Sequence, residues 1–486
     1  MKQITHRLIL AILFTASLLF AQERTWTARN GKTMQASFVR VEGDKVVLKV
    51  NSREGRVPIA NFIEADQAFI RAQAGARLGA AATVSSGWTR YRGPNCDGIA
   101  PDQGLTLRFD PVPKLLWAAE GFGRSYASIS IAGDRIYTTG NSGSGQTVFA
   151  AARSDGEILW ETKLTDKDPD HGSNGSRCTP TIDGDQLYVV TSDGGIAAVR
   201  AQDGKITWQH SFSEWGGRMM SSWGFSESPL VDGDVVICQP GGEDAVLVAL
   251  DKATGRVKWK SHGDAEGDHG KDGAGYGCIV VSNAGGIRQY VCFTGRGVIG
   301  VRASDGRFLW GYNRIANSTA NIATPIVIDD YVFCSSGYGT GSALLKLSKR
   351  GSGIDAEEIW WADGNTLQNH HGGMVHIGDH IYMGHKHNSG FPTCIEWRTG
   401  NIVWGGKENR GPGSGSAAVL YADGHLIFRY EDGLVALIEA TPDAYNLKGA
   451  FKPAYQTDKS WAHPVVFDGK LYLREQGRIM CYDLKS

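Results

Sequence analysis

A short pattern, Gly-x-x-x-Trp, recurs through the chain at nearly constant spacing. It stands at Gly156–Trp160, Gly204–Trp208, Gly255–Trp259, Gly306–Trp310 and Gly400–Trp404. The first four Trp residues are 48, 51 and 51 residues apart, and the last interval of 94 holds a weaker copy that ends at Trp360. A period of this length, in a chain rich in short apolar strands, predicts a β-propeller or a related repeat array. Such a fold concentrates function in the loops around a central channel.

Each repeat has the composition of four short strands. In one copy, residues 179–191 hold two strands around Gly184, residues 195–200 a third, and residues 203–208 an outer strand that ends in Trp. Gly-Asp and Asp-Gly pairs supply the tight turns between strands. Inner strands are predicted to start near Tyr126, Thr179, Ser228, Gly277, Thr324, Gly373, Ser416 and His463. The sequence therefore predicts an all-β fold in which residues 88–486 form an eight-bladed β-propeller.

The two ends of the repeat region are complementary. The last copy stops after a third strand, at residues 479–484, whereas an outer-strand pattern without a preceding blade stands at Pro113–Trp117. Pairing these two segments would close the ring and remove exposed sheet edges.

The N-terminus has the pattern of an export signal. Lys2, His6 and Arg7 precede an apolar run over residues 8–20, and Ala21 offers a small residue for cleavage. The alternative is an uncleaved anchor, but the run is short for a spanning helix. We expect a signal peptide at 1–21, a periplasmic or extracellular location and no membrane-spanning segment. The net charge of −1 gives no electrostatic reason to expect a nucleic-acid partner.

Residues 22–71 predict a small antiparallel barrel, and the small-residue stretch 72–87 predicts a linker. The barrel strands are residues 35–41 and 45–50, joined by a Gly-Asp turn. This region resembles the Sla-type homology domain, an SH3-like barrel, on residues that include Arg24, Trp26, Gly31, Ala36 and Phe38. The resemblance implies a possible peptide contact.

The repeats resemble the quinoprotein-type (PQQ-like) propeller family. The resemblance rests on the Asp/Thr-Gly-x-x-x-Trp signature, as in Leu250–Trp259, and on the entry segment from Trp88 to Ile99. The family implies two functions. Some members are dehydrogenases that use pyrroloquinoline quinone (PQQ) with Ca²⁺, and others are BamB-like proteins that bind no cofactor and act as scaffolds.

Eight cysteines are spread at about one per predicted blade, with no C-x-x-C motif. This pattern offers neither a zinc knuckle nor a haem attachment site. Cys278 and Cys292 lie on predicted neighbouring strands and could pair in an oxidising compartment. Buried thiols used as small apolar residues are the alternative.

The connectors from each outer strand to the next inner strand are long and polar, and we expect them to meet at the channel mouth. Trp and Arg, which are enriched at binding hot spots, stand in several of them. The predicted ligand-binding residues are Arg177, Trp215, Arg218, Trp223, His269, His371, Arg410 and Trp461. Plugging of the channel by Trp215 and Trp223 is the alternative.

Cofactor and metal candidates are fewer. A bound quinone would need a Trp platform, Glu and Asn ligands for a cation, and an Asp base, for which Trp223, Glu227, Asn321 and Asp268 are residues of the right type. His269, His370 and His371 are the metal-ligand candidates, although their spacing matches no dedicated site.

Two functions compete at this stage. The first is an exported binding or scaffold protein that holds a protein or saccharide at the channel mouth. The second is a PQQ-dependent dehydrogenase acting on an alcohol or sugar. The binding function is favoured because no complete catalytic or cofactor set can be traced in the sequence.

Overall fold

The computed structural model describes residues 23–42, 45–50, 53–63, 66, 87–167, 175–406 and 408–485. The chain folds as two compact units, Met1–Ser85 and Ser86–Ser486. The boundary falls inside the predicted linker, whose last residue, Gly87, already belongs to a strand. The predicted signal peptide and the rest of the linker lie outside the described residues. Within the described ranges, no helix has the length and apolar character needed to cross a bilayer.

The first unit holds one antiparallel sheet in the order β1-β2-β3-β4. Its strands are β1 (Glu23–Thr27), β2 (Thr33–Glu42), β3 (Lys45–Val50) and β4 (Arg53–Pro58), followed by a 3₁₀ turn at Ile59–Asn61. Trp26, Ala36, Val46, Leu48 and Phe62 are buried together as its core. The pairing of Glu42 with Lys45 confirms the predicted hairpin.

The second unit is built from short strands separated by turns. In chain order they are β5 (Gly87–Trp88), β6 (Leu115–Glu120), β7 (Ser130–Ala132), β8 (Arg135–Asn141), β9 (Gln146–Ala152), β10 (Ile158–Thr165), β11 (Thr181–Asp183), β12 (Gln186–Val190), β13 (Gly195–Arg200), β14 (Ile206–Ser211), β15 (Leu230–Asp232), β16 (Val235–Cys238), β17 (Val248–Asp251), β18 (Val257–Lys260), β19 (Val280–Ser282), β20 (Gln289–Thr294) and β21 (Gly297–Arg302). The remainder are β22 (Phe308–Tyr312), β23 (Ile326–Ile328), β24 (Tyr331–Ser336), β25 (Gly341–Arg350), β26 (Gly353–Asp363), β27 (Asn369–Ile377), β28 (His380–His385), β29 (Phe391–Glu396), β30 (Ile402–Gly405), β31 (Ala417–Ala422), β32 (His425–Tyr430), β33 (Val435–Glu439), β34 (Leu447–Phe451), β35 (Val465–Phe467), β36 (Lys470–Glu475) and β37 (Arg478–Asp483). Short 3₁₀ turns occur at Phe212–Trp215 and Ala284–Gly286.

These strands form eight antiparallel sheets. Sheet 1 contains β5 and β7–β10, sheets 2 to 7 contain β11–β14, β15–β18, β19–β22, β23–β26, β27–β30 and β31–β34, and sheet 8 contains β35–β37 and β6. Each predicted inner-strand start lies at or near the first of these consecutive strands. The architecture is that of a β-propeller, with the first strand of each sheet towards the centre.

The ring closes through strands from opposite ends of the unit. Strand β6 pairs antiparallel with β37, with Trp117 opposite Cys481 and Glu120 opposite Arg478. This pairing confirms the closure predicted from the incomplete last repeat. It gives sheet 8 four strands, the same number as sheets 2 to 7.

The Gly-x-x-x-Trp repeat joins consecutive sheets. The indole of Trp208 donates a hydrogen bond to Lys252 O in the next sheet (3.0 Å), and its ring lies against Gly255. Gly255 has φ of +73°, and a Cβ there would lie only 2.8 Å from Trp208 Cδ2. The same contact joins Trp160 to Gly204, Trp259 to Gly306, Trp360 to Gly400 and, across the ring closure, Trp117 to Gly156. The glycine is therefore required both by its turn and by the preceding sheet's Trp.

Residues 87–100, here called the channel segment, run along the centre of the propeller. The segment contacts the inner strand, or a residue just before it, in six sheets. Trp88 pairs with Ile131 of sheet 1, and Thr89 O accepts from Ile182 N of sheet 2 (2.8 Å). Arg90 Nη2 donates to Ile279 O, just before the inner strand of sheet 4 (3.1 Å), and Arg92 Nη2 donates to Met374 O of sheet 6. Gly98 O accepts from Tyr421 N of sheet 7 (2.8 Å), and the Tyr91 hydroxyl shares a 2.8 Å hydrogen bond with His463 Nε2, two residues before the inner strand of sheet 8. Only the channel axis lies within reach of all these sheets, so the segment fills the channel.

Replacing Gly255 by alanine should destabilise the propeller more than the same change at Gly233. Both glycines have positive φ, but a Cβ at Gly233 would meet nothing within 4 Å. The left-handed backbone costs alanine about 1–2 kcal/mol at either position. The contact with Trp208 should add about 1–3 kcal/mol at Gly255 alone. Urea midpoints of the two variants measure this difference, and equal midpoints would show that the Trp contact carries no weight.

Candidate functional site

A cavity of about 380 Å³ opens where the starts of the inner strands converge. Seven of the eight sheets contribute lining residues, which come from two kinds of loop. The connectors that enter the inner strands supply most of them, and the turns between second and third strands supply Tyr338, His387 and Asn388. Both kinds of loop reach the same face because the first two strands of each sheet run in opposite directions.

The channel segment supplies part of the cavity floor. Tyr91 lines the cavity, and its ring packs against His463 at a centroid distance of 4.9 Å. Cys278, which precedes the inner strand of sheet 4, lines it beside Tyr276. The cavity is therefore a cup closed by the chain's own residues and not one end of an open pore.

Aromatic side chains form much of the wall. The Tyr126 and Trp461 rings lie 4.7 Å apart, and the Arg177 guanidinium lies over Tyr126 at 5.0 Å. Arg177 Nε donates to Trp223 O (3.0 Å), which holds the Trp223 loop against sheet 2. Trp223 in turn packs edge-on against Tyr276 at 6.2 Å. These contacts fix large rings on rigid loops around the opening.

A group of imidazoles also lines the cavity, beside the aromatic rings. The ring centroids of His370 and His387 are 4.2 Å apart, and those of His370 and His371 are 4.4 Å apart. His370 is held on both nitrogens, at 2.7 Å from Ser416 Oγ and 3.2 Å from the Tyr338 hydroxyl. By contrast, His371 Nε2 and His387 Nδ1 are buried without a hydrogen-bond partner in the protein. These two nitrogens therefore lie behind the cavity surface, while the imidazole rings that carry them line it.

These imidazoles are uncharged at neutral pH. Burial, helped by neighbouring imidazoles and cations, lowers the pKa of His371 to about 3. Burial, helped by Arg92 and Arg429, lowers the pKa of His463 to about 3. Burial likewise lowers the pKa of His370 and His387. Among the described residues, no Asp or Glu side chain lines the cavity. The lining therefore offers aromatic faces, neutral imidazoles and the cations Arg177 and Lys459, of which Lys459 is paired with Glu431 (3.3 Å).

The structure separates the predicted ligand-binding residues into two groups. Arg177, Trp223, His371 and Trp461 line the cavity, whereas Trp215, Arg218, His269 and Arg410 do not. Trp215 instead packs on His210 at 5.5 Å and on Phe212 at 6.1 Å. Arg218 is exposed and paired with Asp272 (3.1 Å), and His269 and Arg410 are exposed. The plugging alternative is also wrong, because the channel segment fills the channel.

The family model described as outer membrane protein assembly factor BamB matches residues 108–222 and 214–406, which is more than half of the chain. The chain belongs to this family. It is also 24% identical over 225 residues to outer membrane protein assembly factor BamB of Yersinia pestis. That match covers 41% of this chain and 52% of the relative, so the chain spans about half the length of this curated relative.

Two solved structures share the fold of this BamB-family chain. The quinohemoprotein alcohol dehydrogenase of Comamonas testosteroni has a TM-score of 0.56 at 12% identity, and that of Pseudomonas putida HK5 has 0.54 at 14%. Each match covers 85% of this chain and 82% of the dehydrogenase. At these identities the likeness shows the β-propeller fold alone and says nothing about activity.

The predicted quinone residues do not converge on one site. Trp223 lines the cavity, but Glu227 lies below the surface, with Oε1 accepting from Gln239 N (2.5 Å). Asn321 is fully buried and donates through Nδ2 to Thr294 O (3.0 Å) and Gly295 O (3.1 Å). Asp268 is exposed and does not line the cavity. This donor set does not fit a Ca²⁺–quinone pair, and we derive no step through one.

The metal candidates do not form a ligand set either. His370 and His371 meet at the cavity, while His269 lies apart from them. Across the described ranges, no three His, Cys, Asp or Glu side chains are grouped so that they could hold a metal ion. Hydroxyl groups of Ser416 and Tyr338 occupy the two nitrogens of His370.

Sequence reasoning missed several cavity residues. Tyr91, Tyr338 and His387 line the cavity, and none of them is among the residues predicted from the sequence. The positions of His387 and Tyr338 could be predicted from the repeat, because the turn between the second and third strands of a sheet lies on the same face as the start of its inner strand. The position of Tyr91 carried no comparable signal, since it follows from the path of the channel segment.

Glutamine in place of Glu227 should stabilise the protein increasingly as pH rises from 5 to 9. Burial raises the pKa of this carboxyl from 4.5 to about 8, against the opposing effects of the Gln239 amide and Arg90. The unfolded carboxyl therefore releases its proton at a lower pH than the folded one, so wild-type stability falls through this window. Urea midpoints of wild type and Glu227→Gln should diverge accordingly. The exposed Glu161→Gln variant is the control, and a gap that does not change with pH would contradict the burial effect.

Proposed function

We propose that this chain is an exported binding protein whose working site is the cavity at the channel mouth, and that its ligand is a saccharide. In this proposal the second unit is an eight-bladed propeller in the periplasm or outside the cell, and residues 22–71 are an SH3-like domain that contacts peptides. The observation that carries the proposal is a cup of about 380 Å³ lined by aromatic rings and neutral imidazoles. Catalysis is not part of it.

The chemistry of the lining supports a saccharide. Ligand cavities of this size are typically apolar and aromatic, with a few polar groups that orient the ligand. Flat rings such as Trp461 and Trp223 suit the C–H faces of a sugar. Neutral imidazoles and the tyrosine hydroxyls of the lining can donate to or accept from the hydroxyl groups of a sugar.

A protein partner is the second candidate, and the family match supports it. The name of the family refers to outer membrane protein assembly, which implies contact with other proteins. For this chain, such a partner would place a side chain in the cup or bind the rim that carries Arg218, His269 and Arg410. Arg218, His269 and Arg410 on the rim are exposed and do not line the cup, so the two contacts are separable by mutation.

The dehydrogenase alternative has less support because its residue set is dispersed. If the fold neighbours indicated activity as well as architecture, purified protein with added PQQ and Ca²⁺ would reduce a dye in the presence of an alcohol. We expect no turnover above a sample without quinone. Quinone-dependent turnover would overturn the binding proposal.

Alanine at Trp461 or Trp223 should weaken saccharide binding at least tenfold, while Trp215→Ala should leave it unchanged. Tenfold corresponds to about 1.4 kcal/mol, a modest value for a Trp at a binding hot spot. Intrinsic tryptophan fluorescence against a panel of soluble oligosaccharides finds the ligand, and calorimetry measures its affinity. Thermal unfolding of each variant checks that the fold is retained.

Three results decide between the candidates. Loss of binding in Trp461→Ala but not Trp215→Ala supports the cup. Failure of the whole panel, together with capture of an outer membrane protein that Arg218→Glu abolishes, supports the rim and the protein partner. Equal losses in the Trp461 and Trp215 variants would show that neither residue reports on a specific site.

A further inference from the structure

Cys96 and Cys278 meet beside the floor of the cup although 182 residues separate them in sequence. Both are buried in one apolar cluster, and each thiol is a neighbouring group that shifts the pKa of the other. Cys96 belongs to the channel segment, and Cys278 lies just before the inner strand of sheet 4 and lines the cavity. All eight cysteines are reduced and buried in the structure.

This arrangement corrects the pairing considered from the sequence. Cys292 belongs to a different apolar cluster from Cys278, and its sulfur accepts a hydrogen bond from Gln239 Nε2 (3.4 Å). Cys278, just before the inner strand of sheet 4, and Cys292, on the second strand of that sheet, therefore lie in different parts of the core. The channel segment, whose path the sequence did not predict, brings Cys96 to Cys278 instead.

The backbone holds Cys96 in a demanding position. Its φ is +59°, and Arg92, four residues earlier, has φ of +60°. Left-handed backbone at residues other than glycine is unfavourable and persists where surrounding structure fixes it. Here Cys96 N donates to Gly93 O (2.9 Å), and the segment is bonded to six sheets. The two sulfurs therefore meet through the fit of the whole segment.

The surroundings favour the reactive form of Cys96. The hydrogen bond from the Cys278 thiol, helped by Arg90 and Arg92 and opposed by burial, lowers the pKa of Cys96 to about 6. A thiolate is the attacking species in disulfide exchange. Cys278, with its proton retained, faces the cavity through which a small disulfide could enter.

We propose that Cys96 and Cys278 form a disulfide in an oxidising compartment, which ties the channel segment covalently to sheet 4. The oxidant is an external disulfide. The Cys278 sulfur loses its proton, attacks one sulfur of that disulfide and expels the other as a thiolate. The Cys96 thiolate then attacks the Cys278 sulfur and expels the second thiolate. Two protein thiols are oxidised to one S–S bond, and the external disulfide is reduced to two thiols.

The bond would close a loop that contains strand β6 and strands β7–β18 of sheets 1 to 3. A cross-link over so long a loop restricts the unfolded chain strongly and stabilises the folded one. It would also fix Tyr91 and Cys278, which both contribute to the cup floor. This inference rests on the channel segment and holds whether or not a saccharide is the ligand.

Thiol counting on the full chain tests the proposal. Protein equilibrated with oxidised glutathione, then denatured in N-ethylmaleimide, should take up six labels, and eight after reduction. Peptide mapping of the oxidised sample should join the Cys96 and Cys278 peptides. Eight labels after oxidation, or a link between any other cysteines, would overturn the proposal.

Two serine variants sharpen the experiment. Cys96→Ser should take up seven labels under both conditions, whereas the control Cys292→Ser should take up five when oxidised and seven when reduced. Oxidation should raise the unfolding midpoint of wild type and of Cys292→Ser by roughly 5 °C and leave that of Cys96→Ser unchanged. Protection of two thiols in Cys96→Ser, or a link that does not shift the midpoint, would refute the stapling role.

Discussion

The contact between one sheet's Trp and the next sheet's Gly holds this propeller together. The indole ring covers a glycine in a left-handed turn, and in most copies its N–H bonds a carbonyl of the neighbouring sheet, as Trp208 does with Lys252 O. Trp310 is different, since its indole bonds Gln289 within its own sheet (2.6 Å). The next repeat, which ends at Trp360, has Ala356 where the others have glycine. The missing glycine of this weaker sequence copy therefore accounts for the different contact that Trp310 makes in the structure.

Closing the ring with this contact creates a channel, and the channel segment then fills it. Trp88, Arg90 and Arg92 are buried there, and the two guanidinium groups donate hydrogen bonds to Ile279 O and Met374 O. Burying two guanidinium groups is costly unless they are hydrogen-bonded, so these contacts specify the path of the segment closely. The same path places Tyr91 at the cup floor and Cys96 beside Cys278.

The cup is chemically unlike the rim around it. Arg218, Asp268 and His269 stand on an exposed, charged rim, whereas His371, His387 and Trp461 enclose a cavity whose imidazoles burial keeps neutral. A cup of aromatic rings and neutral imidazoles, with Arg177 and Lys459 in its lining, suits a ligand with hydroxyl groups. A charged rim suits a protein surface. Family membership and fold similarity do not distinguish these, because both describe the scaffold that carries the loops.

The sequence by itself determined the scaffold: the period, the turns and the incomplete last repeat predicted the strands and the pairing of residues 113–117 with the last strand, which the structure shows with Trp117 opposite Cys481. These features depend on local turn chemistry and on contacts repeated once per period, so the residues that form them recur at a regular spacing in the sequence. Tertiary structure alone decided the site. Arg177 and Trp461 were predicted and line the cup, but Arg218 and Arg410 stand in equally polar connectors and face solvent. Tyr91 and Cys96 reach the centre through long-range contacts that occur only once in the described part of the chain. Such contacts produce no repeating pattern in the sequence from which they could be predicted.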